Sequence, residues 1–396
     1  MIAFTVLVWI LASVGLFYVY GGYLMLLRLA LLVRGRGRSR GMEVRSAEVS
    51  DDLVGMTVYF AAFNEEDLVG QRIENILQQE YPPERMEVLV ISDGSTDATV
   101  QRVKEVAAAH LDRRIRVVEF PENRGKAAAQ NAAAEQAMFD VLLSTDADTV
   151  FARDFMRRIA IPFRDPTIGV VGGGLAFRSN GSSISSGIGA YRRMELAVRR
   201  AEGALGVLVK TDAACTAYRR RVWSPIEAFE DVDHVIVLLA RKQGLHAAHV
   251  DEARCEDSAN SRVSQELRAR SRMTRKGILT IRKRWQWDDM RRDPWFTIAL
   301  FSHRYARYLS PVFLLLWLGA AWAWGVAIGL AGAMTVTATA LLAVLTLSRW
   351  LAIPGLSRVA GQGWSFLIGN VGFALGMISW LRGDRSGHFT PSRRAR

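Results

Sequence analysis

The chain has 396 residues, of which 50% are hydrophobic, and a formal net charge of +12. This length suits one substantial domain with additional elements. The positive charge alone would suit a nucleic-acid-binding protein, but the sequence has no nucleic-acid-binding motif, so we expect no nucleic-acid partner.

The basic residues crowd beside apolar segments rather than along one face of a polar domain. They concentrate at 34–45, 262–292 and 382–396. This placement favours contacts with anionic membrane lipids or with phosphate-bearing substrates.

The first apolar segment, residues 1–33, predicts a membrane-spanning helix. It has no charge up to Leu27, and about 20 apolar residues suffice to cross a bilayer. A cleaved signal peptide is the alternative, but such a peptide carries its basic residues before the apolar run. Here they follow it, at Arg34, Arg36, Arg38 and Arg40. Basic residues beside a span favour the cytoplasmic side, so we expect a multi-pass protein of the inner membrane whose main domain faces the cytoplasm.

Residues 55–256 alternate short apolar runs with amphipathic segments. The pattern predicts strands at Met56–Ala62, Met86–Ile91, Ile115–Phe120 and Val141–Ser144, and helices at Asp67–Gln79, Asp97–His110 and Gly125–Met138. Such alternation indicates an α/β domain with a mostly parallel sheet covered by helices. Ligands of these sheets bind beyond the carboxyl ends of the strands.

Polar clusters follow the first three predicted strands at that edge. We predict that Glu65 and Asp93 accept hydrogen bonds from the base or ribose of a nucleotide. The alternative is that Glu65 is an ordinary charge at a helix N-terminus and Asp93 an ordinary turn residue. Lys126 follows Gly125 at a predicted helix start, where free N–H groups favour phosphate. Arg124 adds a second positive group; the alternative is that both are solvated charges at a helix end.

The fourth strand is followed by Asp146 and Asp148, separated by Ala147. In an extended segment both carboxylates would face the same way. Two like charges after a buried strand are costly unless a cation neutralises them. Oxygen ligands suit Mg²⁺ or Mn²⁺, so we expect a metal site here, with an aspartate-rich turn as the alternative.

Three acidic residues lie further along, in the segment Phe229–His234, which opens a helix predicted to run to about Lys242. A carboxylate at a helix N-terminus stays ionised, which suits a base that accepts a proton from an alcohol. Asp231 is our candidate for that base. We expect Glu230, Asp233 and Tyr218 to lie in the acceptor region.

These clusters resemble, in order, the motifs of family 2 glycosyltransferases with the GT-A fold, over about Met56 to Gly277. The matching segments are Phe63-Asn64-Glu65-Glu66, Ser92-Asp93-Gly94-Ser95-Thr96-Asp97, Asn123-Arg124-Gly125-Lys126-Ala127, Asp146-Ala147-Asp148 and Phe229-Glu230-Asp231. The resemblance implies an inverting displacement in which Asp231 takes the acceptor proton. It also implies that a metal at Asp148 and the positive group of Lys126 stabilise the departing diphosphate.

Some segments depart from the family pattern. Phe229 replaces the Thr of the Thr-Glu-Asp motif, and the Gln-x-x-Arg-Trp motif of polymerising synthases is altered, because Ala269 follows Arg268. The run Glu266–Met273 is similar to a basic segment of smaller membrane members. We predict that Arg272, and secondarily Arg268, contact the diphosphate. The alternative is a basic interfacial helix that touches only headgroups.

The carboxyl-terminal third predicts further membrane contacts. Residues 262–308 are basic and aromatic and suit a membrane interface. Residues 309–381 hold three nearly spanning apolar segments, at Leu309–Leu330, Met334–Ile353 and Trp364–Leu381. The tail, 382–396, is basic, which argues for the cytoplasmic side. Four spans would place it outside, so either one segment is re-entrant or the charge rule fails here.

The function favoured by the sequence is transfer of one sugar from a nucleotide-sugar to a lipid-linked saccharide acceptor. The resemblance implies a UDP-sugar donor by default, with GDP-mannose as an alternative. Two other functions stay open: a processive polysaccharide synthase that translocates its product, and a non-catalytic GT-A scaffold in a membrane assembly.

Overall fold

The computed structural model describes residues 2–34, 53–178, 183–258, 263–335, 337 and 356–385. Most of the predicted span Met334–Ile353, the basic residues that follow Arg34, and the tail beyond residue 385 lie outside these residues.

One sheet of eight strands forms the centre of the described part of the chain. The strands are β1 (Met56–Ala62), β2 (Met86–Asp93), β3 (Arg114–Phe120), β4 (Val141–Ser144), β5 (Val150–Phe151), β6 (Ile168–Arg178), β7 (Thr216–Arg219) and β8 (His246–Ser258). Their order is β3-β2-β1-β4-β7-β6-β8-β5. The first four are mutually parallel, whereas β7 is antiparallel to both β4 and β6. The sequence predictions for β1 to β4 are therefore confirmed, with small differences at the ends.

The helices cover both faces of the sheet and extend beyond it. They are α1 (Ile2–Phe17), α2 (Tyr23–Val33), α3 (Val69–Leu77), α4 (Thr99–Ala109), α5 (Lys126–Gln136), α6 (Phe155–Ala160), α7 (Ser183–Leu205), α8 (Val232–Lys242), α9 (Val263–Arg284), α10 (Trp287–Arg292), α11 (Pro294–Leu300), α12 (Ala306–Tyr308), α13 (Ser310–Ala327) and α14 (Leu356–Leu381). Two π-helical turns, Tyr18–Gly22 and Phe301–Tyr305, join α1 to α2 and α11 to α12.

The central strands are buried on both faces, which is why β1 and β2 read as nearly continuous apolar runs. Val58 and Phe60 belong to one core together with Ile73 of α3. Tyr59, between them, belongs to a second core on the opposite face, with Ala133 of α5. Each fully buried side chain of this size contributes about 2 kcal/mol to stability, so the strand ends that carry the polar clusters rest on a rigid support.

Within the described part of the chain, three helices are long and apolar enough to cross a membrane: Ile2–Val33, Ser310–Ala327 and Gly361–Leu381. The first packs along α13, where the rings of Trp9 and Trp317 lie 6.1 Å apart. The predictions of an amino-terminal span and of spans near Leu309–Leu330 and Trp364–Leu381 thus match apolar helices of suitable length. The predicted span at Met334–Ile353 lies mostly outside the described residues.

Helix α9 lies directly against α14, and glycines permit the close approach. A Cβ atom added at Gly376 would lie 2.6 Å from the Cβ of Thr274 and 2.7 Å from the carbonyl oxygen of Ser271. One added at Gly372 would lie 2.7 Å from the Cβ of Arg270. The basic helix of the predicted 262–308 segment is therefore anchored on one side by an apolar helix.

Candidate active site

The loops after β1 and β2 are tied together by side-chain caps. Asn64 has a positive φ of 54°, and its Oδ1 accepts a 2.8 Å hydrogen bond from the Thr96 N–H. The Glu66 N–H donates to Asp97 at 3.2 Å. These contacts hold Glu65 beside the loop that carries the second polar cluster, as expected for neighbouring parallel strands.

Asp93, at the end of β2, fixes the loop that carries the predicted phosphate ligands. It is buried, and its two oxygens accept hydrogen bonds from the N–H groups of Arg124 (2.7 Å) and Gly125 (2.9 Å). Gly125 has a φ of +87°, which favours glycine. Asp93 thus positions the start of α5; contact of Asp93 with a nucleotide stays a prediction.

Lys126 begins α5 and points at the aspartate pair. Its Nζ lies 2.5 Å from the Oδ1 of Asp146, and both side chains are partly exposed. The predicted phosphate ligand and the first predicted metal ligand are therefore neighbours across two strand ends.

The aspartate pair lies in a turn rather than in the extended segment we expected. The Thr149 N–H donates to the Asp146 carbonyl at 3.3 Å. Ala147 is buried, whereas Asp146 and Asp148 are half-buried. Within the described residues, no group of three or more His, Cys, Asp or Glu side chains could hold a metal. Two carboxylates still fit a hard divalent cation, because Mg²⁺ typically combines one or two carboxylates with water and substrate phosphate.

A buried arginine beneath this turn was missed by the sequence analysis. Arg72 of α3 donates to the Oγ1 of Thr145 at 2.7 Å, and its guanidinium lies 4.0 Å from the Phe151 ring centroid. Burial lowers the pKa of Arg72 to about 9, against the opposing influence of Asp146 and Asp148. Nothing in the pattern of α3 distinguishes Arg72 from a solvated helix charge, because its burial depends on the tertiary fold.

Asp231 is the N-cap of α8, and each of its two carboxylate oxygens has a hydrogen-bond contact. Its Oδ1 accepts from the Asp233 N–H at 3.3 Å, and its Oδ2 lies 2.7 Å from the Nδ1 of His234. Burial alone would raise the pKa of Asp231, but His234 and the charges of Lys210 and Arg304 hold that pKa below the ordinary aspartate range. Asp231 is therefore ionised at neutral pH, as a general base requires.

Two residues that we expected in the acceptor region are buried in other contacts. Glu230 accepts hydrogen bonds from the Nε and Nη2 of Arg284, at 2.5 and 2.8 Å. Tyr218 is 1% exposed, and its hydroxyl lies 2.8 Å from that of Tyr59 in the core. Because neither side chain reaches the surface, the structure assigns them to packing and to anchoring α9 rather than to an acceptor surface.

The third, Asp233, lies next to the site but faces inwards. Its Oδ1 accepts from the Ala213 N–H at 2.8 Å, and its Oδ2 lies 3.4 Å from the Nζ of Lys210. Burial, reinforced by Asp231 and Asp212, raises the pKa of Asp233 to about 6 despite Lys210. Asp233 therefore connects α8 to the 210–213 loop.

Helix α9 presents Arg272 and Lys276, which are one turn apart, towards the Asp231 loop. Arg268 is exposed, and Arg272 and Lys276 are half-buried. Burial lowers the pKa of both half-buried cations, and the nearby Asp231 carboxylate opposes this effect in each. The Nζ of Lys276 donates to the Ala228 carbonyl at 2.6 Å. Lys276 was missed by the sequence analysis, although its spacing of four from Arg272 would have indicated it.

Comparisons with known proteins agree with this architecture. The family described as "Glycosyl transferase family 2" matches residues 57–224. A poly-beta-1,6-N-acetyl-D-glucosamine synthase from Staphylococcus aureus (strain MSSA476) is 29% identical over 202 residues, covering 50% of this chain and 47% of the relative. The same enzyme from Staphylococcus epidermidis is 28% identical over 198 residues, covering 48% and 46%. The chain thus matches about half the length of these curated relatives.

Among solved structures, the mannosyltransferase PcManGT from Pyrobaculum calidifontis, in complex with GDP-Man and Mn²⁺, superposes with a TM-score of 0.69 at 21% identity. The superposition covers 94% of this chain and 98% of that one. At this identity the likeness shows the fold, including the arrangement of the helices beyond the sheet. Residues 57–224 therefore match the glycosyltransferase family 2 model, and the fold of the chain is that of the GT-A glycosyltransferases.

Proposed function

We propose that this protein is an inverting glycosyltransferase that moves a sugar from a nucleotide-sugar to a lipid-linked saccharide at a membrane surface. The observation that carries the proposal is the ionised, well-held carboxylate of Asp231. It lies near the cations of α9. Of these, Lys276 is also close enough to Lys126 for the charge of Lys126 to lower the pKa of Lys276. A base and a cationic site for a leaving diphosphate are the two groups that such a displacement requires.

On the donor side, Asp146 and Asp148 would hold Mg²⁺ or Mn²⁺, which when bound supplies positive charge to the diphosphate. Lys126 contacts Asp146 directly, so its ammonium lies beside the carboxylates that would hold the cation, where it would also contact the diphosphate. Arg272 and Lys276 would add charge from α9, and the exposed Arg124 and Arg268 would add further positive charge. Preorganised cations of this kind stabilise the charge that develops on the leaving group.

On the acceptor side, Asp231 takes the proton of the attacking hydroxyl. The bond from the acceptor oxygen to the anomeric carbon forms as the bond from that carbon to the diphosphate oxygen breaks. The nucleoside diphosphate leaves with the electron pair, and the configuration at the anomeric carbon inverts.

The membrane part of the proposal rests on the apolar helices and on the surface beside them. Trp287 and Trp295 are 65% and 74% exposed on α10 and α11, shortly before α13 begins. Exposed tryptophans beside spanning helices are typical of a membrane interface. We propose the layout 1–33 span, 55–256 GT-A domain, 262–308 interfacial helices, 309–381 spanning segments and 382–396 basic tail, with the domain on the cytoplasmic face of the inner membrane.

A donor screen tests this function. The purified protein in lipid nanodiscs with Mn²⁺ or Mg²⁺ would be given radiolabelled UDP- and GDP-sugars together with a lipid extract. We expect label from one donor to enter the lipid fraction as a single added sugar. If no donor sugar is transferred to lipid and none is hydrolysed by transfer to water, the result would contradict the proposal.

A processive polysaccharide synthase is the second candidate, because the curated relatives are poly-beta-1,6-N-acetyl-D-glucosamine synthases. The altered Gln-x-x-Arg-Trp segment, in which Ala269 follows Arg268, speaks against it. The same assay separates the two: a long water-soluble polymer made from UDP-GlcNAc would favour the synthase.

A further inference from the structure

His234 lies one helical turn after Asp231 and is completely buried. Its side chain has no exposed surface, whereas that of Asp231 is 12% exposed. The Nδ1 of His234 lies 2.7 Å from the Oδ2 of Asp231. Because an ionised carboxylate only accepts hydrogen bonds, Nδ1 is the donor in this contact. The neutral ring then carries its proton on Nδ1 and leaves Nε2 as an acceptor.

That second nitrogen has no hydrogen-bond partner among the described residues, although it is buried. A buried polar atom without a partner costs about 1–3 kcal/mol. The next four residues of α8, Val235–Leu238, are apolar and equally buried. An aliphatic side chain at position 234 would avoid this cost, so packing does not account for the histidine.

The surroundings keep the ring neutral. The charged groups that face the Asp231–His234 pair are Lys210 from the loop before β7, Arg304 from the π-helical turn, Arg272 and Lys276 from α9, and Asp233 from α8. Burial and Arg304 together lower the pKa of His234 to about 3, against the influence of Asp231. At neutral pH, His234 is therefore a neutral hydrogen-bond donor to Asp231 and does not transfer its proton to the carboxylate.

The two oxygens of Asp231 are held unequally. Oδ2 has the short contact with His234, whereas the contact of Oδ1 with the Asp233 N–H is long, at 3.3 Å. A long hydrogen bond leaves lone-pair density available on Oδ1. Of the two oxygens, Oδ1 is thus the one with the greater capacity to accept the proton of an incoming hydroxyl.

We propose that His234 is a positioning residue: its Nδ1–H fixes the plane of the Asp231 carboxylate so that Oδ1 meets the acceptor hydroxyl. This inference rests on the proposed function, in which Asp231 is the base. The proton taken from the acceptor resides on Oδ1, and His234 keeps its own proton throughout.

Three substitutions separate positioning from packing. His234→Asn places an amide N–H close to the position of Nδ1, His234→Gln moves that amide one bond further, and His234→Leu removes the donor. For each variant in nanodiscs, kcat, the acceptor KM and the pH profile of kcat/KM are measured, with calorimetry for donor Kd and a thermal scan for folding.

We expect His234→Leu to lower kcat about 10²-fold, the effect of a misplaced reacting group, with donor Kd unchanged. Without its donor the buried carboxylate becomes easier to protonate, so the acid limb of kcat/KM should move to higher pH. The kcat of His234→Asn should remain within about tenfold of the wild-type value, and the acid limb of its kcat/KM profile should stay at the wild-type pH. His234→Gln should behave like His234→Leu.

An equal loss in all three variants with an unshifted acid limb would overturn the positioning role. If His234→Leu fails to fold, the two amide variants decide. A higher kcat for His234→Asn than for His234→Gln supports the positioning role, and equal values of kcat reject it. An inactive Asp231→Asn beside a fully active His234→Leu would reject only the role of His234. A fully active Asp231→Asn would reject the proposed function and this inference together.

Discussion

The hydroxyl of Thr280 in α9 accepts a 2.7 Å hydrogen bond from the backbone N–H of Asp231. The same helix packs through Thr274 against Gly376 of the apolar helix α14. The loop of the candidate base is therefore held by a helix that rests on a candidate membrane span. This arrangement would keep the base at a fixed height above the membrane surface.

Thr280→Val should reduce transfer without changing the size of the side chain. The Asp231 N–H would lose its acceptor in a buried place, at a cost of about 1–3 kcal/mol, and the carboxylate would shift. We expect kcat to fall about tenfold or more while donor Kd, measured by calorimetry, stays the same. Thr280→Ser keeps the hydroxyl and should restore the rate; a Ser variant as slow as Val would count against the hydrogen bond.

Asp148→Ala should weaken donor binding that depends on a divalent ion. One of the two candidate carboxylates is lost, so we expect the donor Kd in Mn²⁺ to rise at least about tenfold, or about 1.4 kcal/mol. EDTA should have the same effect on the wild type and little further effect on the variant. Asp112→Ala is the matched control, because Asp112 is 73% exposed and paired only with Arg113 among the described contacts. Equal donor affinity in both variants would refute the metal site.

Asp233 should make the protein less stable as the pH rises from about 4 to 7. Its pKa is raised to about 6 in the folded state, above the ordinary value of 3.8. The folded state therefore binds more protons than the unfolded state in this range, and stability falls with increasing pH. Asp233→Asn keeps an oxygen for the Ala213 N–H. Relative to the wild type, its Tm should increase from pH 4.5 to pH 7.5; a constant difference would contradict the shift.

Gly376→Leu should destabilise the contact between α9 and α14. A Cβ atom there would lie 2.6 Å from that of Thr274, and overpacking of this kind costs about 1–3 kcal/mol or more. We expect a lower Tm in detergent and slower transfer, because α9 carries the contacts to the Asp231 loop. Gly319→Leu in α13 is the control, since a Cβ there meets nothing within 4 Å. Equal Tm losses in the two variants would show that the close approach is unimportant.

Much of the central fold could be predicted because its information is local. The runs of β1 and β4 are mostly apolar, and both strands lie where the sequence indicates. The loops that follow the parallel strands carry short-range features, such as Gly125 before Lys126 in the loop after β3. Parallel pairing then brings these loops to one edge, which is a property of the topology and not of any single residue.

The remaining features depend on tertiary contacts that no local pattern encodes. Arg72 appears in sequence as one more helix charge, yet it is buried under the aspartate turn. Glu230 belongs to an acidic cluster, but its partner Arg284 lies 54 residues further on. The burial of Tyr218 could not be predicted from periodicity or from a motif, because it results from the position of β7 between β4 and β6.

The most direct test of the proposed function compares Asp231→Asn with the wild type in transfer and in donor binding. Asparagine keeps the size of the side chain and an oxygen for the Asp233 N–H but cannot accept the acceptor proton. We expect donor Kd to be unchanged and the transfer rate to fall about 10²- to 10⁴-fold, the usual contribution of a general base. Transfer at the wild-type rate, with the same donor affinity, would contradict the role of Asp231 as the base.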